Sequence, residues 1–210
     1  MMHARIDILS ELGKPHFQEI AKSFQTKSYP RKTLMFLPKG EEDAVFIITK
    51  GRARIYLAYE DKEFTLAILE RGDVYSTHTR AFVSALEDTE VLLAATPNIS
   101  RQFLRTPEFT GTMVRVLAEL LSHSIGIIDN LAFLDVENRL RSFLRFEASR
   151  SQSQGQGVLL DLGLTTEHLA SLLGTTRQTL STMLNSLARE GVIELKRRGA
   201  IFIPDPAALG

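Results

Sequence analysis

The sequence predicts an α+β chain of 210 residues, with a small antiparallel β-barrel or jelly roll, one long helix and a C-terminal winged helix-turn-helix. Three observations predict it. Five β-branched or aromatic-rich segments, separated by turn residues, fill residues 30–97. An apolar repeat stepping by three and four residues runs from Val114 to Leu131. Two short apolar-striped segments joined by a glycine lie within residues 165–193.

The β segments are TLMFLP (33–38), AVFIITK (44–50), RARIYLAYE (52–60), EFTLAILE (63–70) and EVLLAAT (90–96). Lys39-Gly40, Lys50-Gly51, Glu60-Asp61-Lys62 and Arg71-Gly72-Asp73 punctuate them as turns. In residues 52–57, Arg52, Arg54 and Tyr56 are expected to face one way and Ala53, Ile55 and Leu57 the other. Several short strands at this spacing suit a small barrel or jelly roll. Short flanking helices are expected at about 15–24 and 98–104.

From Pro107 to about Leu134 the pattern is helical, and Pro107 suits a first helical turn. Val114, Leu117, Leu121, Ser124, Ile128 and Leu131 step with the period of a coiled-coil seam. A helix lying on its own barrel gives the same stripe, but a seam between two copies better explains the length. Residues 136–150 read as a further amphipathic helix, and SQSQGQG (151–157) as a loop.

In TTEHLASLLGTTRQTLSTMLNSLAREGVI (165–193), Leu169, Leu172 and Leu173 share one helix face. Gly174 suits the left-handed turn that ends that helix. A second helix over about 176–190 buries Leu180, Leu184 and Leu187. This pattern places its second helix in the major groove of duplex DNA. VIELKRRGAIFI (192–203) follows as a hairpin wing, and Pro204 and Pro206 close the domain.

Hydrophobic content of 44% and charged content of 24% are those of a globular protein. No uninterrupted apolar run approaches the roughly 20 residues that span a bilayer, and MMHARIDILSEL lacks the apolar core of a signal peptide. The expectation is a cytoplasmic protein without a membrane partner. Absence of cysteine excludes disulfides, zinc fingers and iron–sulfur clusters. The net charge is zero, but residues 1–135 hold 16 Lys/Arg against 18 Asp/Glu and residues 136–210 hold 9 against 7. The C-terminal part is mildly basic, a small electrostatic footprint for DNA that a dimer would double and that ordinary scatter of charge would also give. Glu41-Glu42-Asp43 and Glu87-Asp88-Glu90 are expected as solvated turns. No P-loop, HExxH or GxSxG motif appears, so no enzyme activity is expected.

The order of elements, with NLAFLDVENRL (130–140) and LLGTTRQTLSTMLNSLAREGVIE (172–194), resembles the Crp/Fnr family of bacterial transcription regulators across the whole chain. VFIITKGRARIYLAYEDKEFTLAILERGD (45–73), STHTRAFVSALEDTEV (76–91) and TRQTLSTMLNSL (176–187) are similar to its CooA-like, haem-containing carbon monoxide sensors. The resemblance implies a cyclic-nucleotide-binding-like effector domain (1–106), a dimerisation helix (107–134) and a winged helix-turn-helix domain (135–210). It implies a homodimeric, CO-sensing regulator, most simply an activator working with RNA polymerase, that binds palindromic DNA when CO displaces a weak axial ligand of haem b. Half-sites would lie roughly 34 Å apart.

A lone histidine in a barrel is ordinarily structural, but the resemblance implies that His78 ligates the haem iron. It implies the Met1 amine as the second ligand, with Met2 and His3 as rivals. Ser76 stands where well-known members carry cysteine, so a thiolate-based redox switch is not available to this chain. Leu117, Ala118 and Leu121 match positions that line the gas pocket, Ala118 in place of a glycine. Arg177, Gln178 and Thr182 occupy the base-reading positions. Thr176, Ser181, Lys196, Arg197 and Arg198 are phosphate candidates. His16, His123 and His168 stand in no constellation and read as structural or exposed. The alternative is a regulator of the same fold gated by a cyclic nucleotide or other organic effector without haem. Against it, the loop after residue 72 offers Asp73 and Arg80 but no arginine–serine/threonine pair in register.

Overall fold

The computed structural model describes residues 8–38, 40, 43–103, 106–151 and 157–210. Met1, Met2 and His3, and most of the 151–157 loop, lie outside them. Two compact units divide between Ile125 and Gly126, inside the long helix. The barrel-side half of that helix thus belongs with the barrel rather than forming a segment of its own.

In the first unit, helices α1 (Ile8–Leu12) and α2 (Gln18–Ala21) precede strands β1 (Gln25–Tyr29), β2 (Leu34–Phe36), β3 (Ala44–Lys50), β4 (Ala53–Tyr59), β5 (Lys62–Leu69), β6 (Val74–Ser76), β7 (Phe82–Ala85) and β8 (Thr89–Ala95). Helices α3 (Thr96–Phe103) and α4 (Pro107–Phe133) follow. The strands form two antiparallel four-stranded sheets, ordered β1-β8-β3-β6 and β2-β7-β4-β5. Phe46 and Ile48 of β3 face the other sheet and pack with Phe36, Ile55 and Val83. Ile47, pointing the opposite way, packs with Ile8, Phe17, Ile99 and Phe109 of the flanking helices. Burial on both faces explains why AVFIITK reads as an unbroken apolar run. At the β3–β4 turn Gly51 has φ +78°, and a Cβ there would strike the Asp88 carbonyl, so the turn requires glycine.

Arg54 is a charged side chain in the barrel wall that is only 5% exposed. Its Nε donates to Thr65 Oγ1 at 2.8 Å, and Nη1 donates to Glu63 Oε2 at 2.7 Å. The guanidinium also lies 4.4 Å from the Tyr56 ring centroid, which stacks on Phe82 at 5.3 Å. The β4–β5 register shifts between Ile55 and Tyr56, and such a bulge breaks strict alternation; Leu57, expected to face the same way as Ala53 and Ile55, is 40% exposed where they are buried. The Glu87-Asp88-Glu90 turn is paired rather than merely solvated. Asp88 accepts the Arg31 backbone N–H at 2.9 Å, and Glu87 accepts from Arg52 at 2.9 Å.

Helix α4 has 27 residues and is, by length and composition only, long and apolar enough to cross a membrane. Counting uninterrupted apolar runs missed this, because Arg115, Glu119 and Asp129 break the run without cancelling its apolar character. Phe109, Thr112 and Val116 on one side of its first turns are buried.

In the second unit, α5 (Val136–Arg150), β9 (Val158–Leu160), α6 (Thr166–Leu172), α7 (Arg177–Arg189), β10 (Glu194–Leu195) and β11 (Ile201–Ile203) surround one core. Asp135 caps α5 by accepting the Asn138 N–H at 2.8 Å. Leu140, Leu144 and Ala148, four residues apart, are its buried stripe. The antiparallel order β10-β11-β9 forms the wing expected after the second helix.

Candidate functional site

The helix-turn-helix is built from two caps and a left-handed glycine. Thr165 Oγ1 accepts the His168 N–H at 3.1 Å and starts α6. Gly174, φ +63°, ends it, and the Thr175 N–H closes the turn on the Ala170 carbonyl at 2.9 Å. Thr176 Oγ1 then accepts the Thr179 N–H at 3.1 Å and starts α7. Thr176 is thereby a helix cap as well as a phosphate candidate.

Leu180, Leu184 and Leu187 hold one face of α7 in the core. The opposite face is polar, with Arg177, Gln178 and Thr182 exposed and Ser181 half-buried. Thr182 Oγ1 donates back to the Gln178 carbonyl at 3.1 Å. Asn185, seven residues after Gln178, lies exposed on the same ridge; a helical wheel places it there, but it was not singled out in the sequence. In the wing, Lys196 pairs with Glu194 at 2.5 Å and lies 5.4 Å from the Phe202 ring. Arg197 is exposed, and the Arg198 side chain is outside the description. Arg139 braces this unit from behind, donating from Nε to the Leu173 carbonyl at 2.9 Å and from Nη1 to the Leu134 carbonyl at 2.7 Å.

In the first unit, His78 follows β6 on a pinned segment. Thr77 is buried; its N–H donates to the Ala44 carbonyl at 2.9 Å, and its Oγ1 accepts the Ala44 N–H at 2.9 Å. Ala81 is also buried. Between these anchors the imidazole of His78 is 80% exposed, with Nδ1 3.5 Å from Asp43 Oδ1. Asp43 is held in turn by its carbonyl, which accepts the Thr96 N–H at 2.9 Å. This neighbour had no local signal, since 35 positions separate Asp43 from His78. Ser76 Oγ accepts the His78 N–H at 3.2 Å, a turn-forming role.

These residues fit a haem iron by donor chemistry. A ring whose Nδ1 faces a carboxylate presents Nε2 as the ligand atom, and the carboxylate orients the imidazole. No group of three metal-ligating side chains occurs among the described residues; a porphyrin supplies its own four nitrogens, so one protein imidazole suffices on that side. Leu117 and Leu121 are 60% and 63% exposed on α4, with Ala118 exposed beside them. Val114, Ile125, Ile128 and Leu131 continue this bare apolar stripe. His123 Nε2 lies 3.2 Å from the Leu66 carbonyl of β5.

Residues 138–210 match the model of the Crp-like helix-turn-helix domain. A structure of a mutant CooA from Carboxydothermus hydrogenoformans is 40% identical, covers 98% of this chain and 95% of that one, and superposes with a TM-score of 0.90. The chain belongs to the Crp/Fnr family of transcription regulators. As a Crp/Fnr regulator it is a DNA-binding, dimeric protein and not an enzyme. The reduced CO-sensing protein from R. rubrum is 30% identical over 99% of this chain and 98% of that one, with a TM-score of 0.57. The cyclic AMP receptor protein of Thermus thermophilus is 28% identical over 87% of this chain and 89% of that protein. The α+β fold expected from the sequence is the one these relatives share.

Proposed function

We propose that this Crp/Fnr regulator is a homodimeric, haem-dependent carbon monoxide sensor that activates transcription. The observation that carries the reading is His78, an exposed imidazole on an otherwise pinned segment, with Asp43 at Nδ1. Its support outside the site is likeness to a CooA over nearly the full chain.

His78 would hold haem b, and the group would supply an iron able to take up carbon monoxide. Leu117, Ala118 and Leu121 offer an apolar surface without hydrogen-bond donors, which suits a small neutral diatomic. The bare stripe of α4 pairs with its copy in a second subunit, which removes six large apolar side chains from water. The Met1 amine, or Met2 or His3, remains the proposal for the weak second ligand. Arg177, Gln178 and Thr182 read bases, while Thr176, Ser181, Arg197 and Arg198 fix the protein on the phosphates. A palindromic site and RNA polymerase are the proposed partners, in the cytoplasm.

The His78→Ala variant tests the assignment. Protein made in haem-supplied cells is expected to show a strong absorbance band near 400–420 nm, and His78→Ala to lose most of it while keeping the far-ultraviolet circular dichroism of the parent. An unchanged band in the variant would make His78 structural. Absence of the band in the parent would favour an organic effector.

A further inference from the structure

We propose that Arg80 is a haem-binding residue of this chain, pairing with a propionate carboxylate of the haem that His78 ligates. The proposal rests on the haem reading above and extends it to the acidic edge of the group.

Burial along the segment sets the geometry. Thr77 and Ala81 are buried, Thr79 is half-buried, and His78 and Arg80 are exposed. Residues 77–80 form consecutive bends after β6, and along them two exposed side chains flank a half-buried one. Tyr75 Oη donates to Thr79 Oγ1 at 3.3 Å, and the Ala81 N–H donates to the same oxygen at 3.4 Å. Thr79 is thus tied inward from both sides, between the exposed side chains of His78 and Arg80.

Charge is the second observation. Arg80 forms no ion pair or side-chain hydrogen bond among the described residues, unlike neighbouring Arg52 and Arg54, which meet Glu87 and Glu63. The nearest carboxylate to the His78 ring is Asp43, at Nδ1. One side of the imidazole therefore has an anion that orients the ring, while the same exposed bend, two residues on, carries a guanidinium with its donors unspent among the described residues. Haem carries two propionates at one edge, and a guanidinium fork matches a carboxylate in two parallel hydrogen bonds. This chemistry also gives a role to an arginine in a loop with no arginine–serine/threonine pair in register for a cyclic phosphate.

The test compares haem with its dimethyl ester, in which both propionates are uncharged, in the parent, Arg80→Gln and Arg80→Lys full-length proteins. Each is loaded with the ferric group, and its transfer to excess apomyoglobin is followed by absorbance. The parent is expected to release the ester about three- to tenfold faster than haem, consistent with one partly exposed charge-assisted pair. Arg80→Gln should release both at the ester's rate, and Arg80→Lys should fall between. All three should keep the same absorbance maximum, because His78 is untouched. Equal release of haem from parent and Arg80→Gln would overturn the proposal while leaving the haem reading intact. Failure of the parent to take up haem at all would instead overturn the haem reading.

Discussion

Burial, and then the Glu63 carboxylate, push the Tyr56 phenol above its ordinary 10.0, while Arg54 pulls it down. A raised value in the folded state means that the neutral phenol is favoured there. That contribution to stability is complete below pH 10 and is lost as pH rises through the folded value. The urea midpoint of Tyr56→Phe is therefore expected to fall less steeply above pH 10 than that of the parent, with matching behaviour at pH 7–9. Arg54→Ala removes two hydrogen bonds to Thr65 and Glu63 and is expected to cost about 2 kcal/mol by the same measurement. At this scale the sequence is least legible. Arg54 sits in an alternation that a bulge interrupts, and nothing local to RARIYLAYE marks the bulge. The pairing of Asp43 with His78 is created by β3 lying beside β6 in the sheet, so it is a product of topology. His78 itself was legible only through the family resemblance.

Among the elements, α4 carries the clearest expectation. Leu117, Leu121, Ile125 and Ile128 are each more than half exposed, which is stable in water only if a second surface covers them. Leu121→Glu is expected to convert a dimer to a monomer in sedimentation equilibrium at micromolar concentration; a dimer of unchanged affinity would place the interface elsewhere. Leu180→Ala leaves a cavity under the recognition helix, where the parent side chain is fully buried, and is expected to cost about 2–5 kcal/mol in denaturant unfolding. Strongly patterned elements were legible. AVFIITK is β3, residue for residue, and the 136–150 segment is α5. Strand β1, QTKSY, was not, because four of its five residues are exposed and its polar side chains carry no alternation. Strands β6 and β7 are three and four residues long, too short to show a period.

For the whole molecule, a zero net charge hides a division of labour. Residues 136–210 carry 9 basic against 7 acidic side chains, so affinity for DNA is expected to rest on a few well-placed contacts. Arg177→Ala is expected to weaken binding to the preferred duplex by about 1–3 kcal/mol and to relax preference at one base position; fluorescence anisotropy with single-base variants of the site reads both. The two-unit architecture was legible from the change of hydrophobic period near Pro107. The point of division was not, since Phe109, Thr112 and Val116 tie the start of α4 to the barrel side through contacts made by folding alone. The central claim is that carbon monoxide gates the helix-turn-helix through haem. It is tested most directly by anisotropy of a labelled palindromic duplex with reduced, haem-loaded protein, titrated with and without carbon monoxide. The expected result is tight binding only with the gas present, lost in His78→Ala; equal binding in its presence and absence would contradict the account.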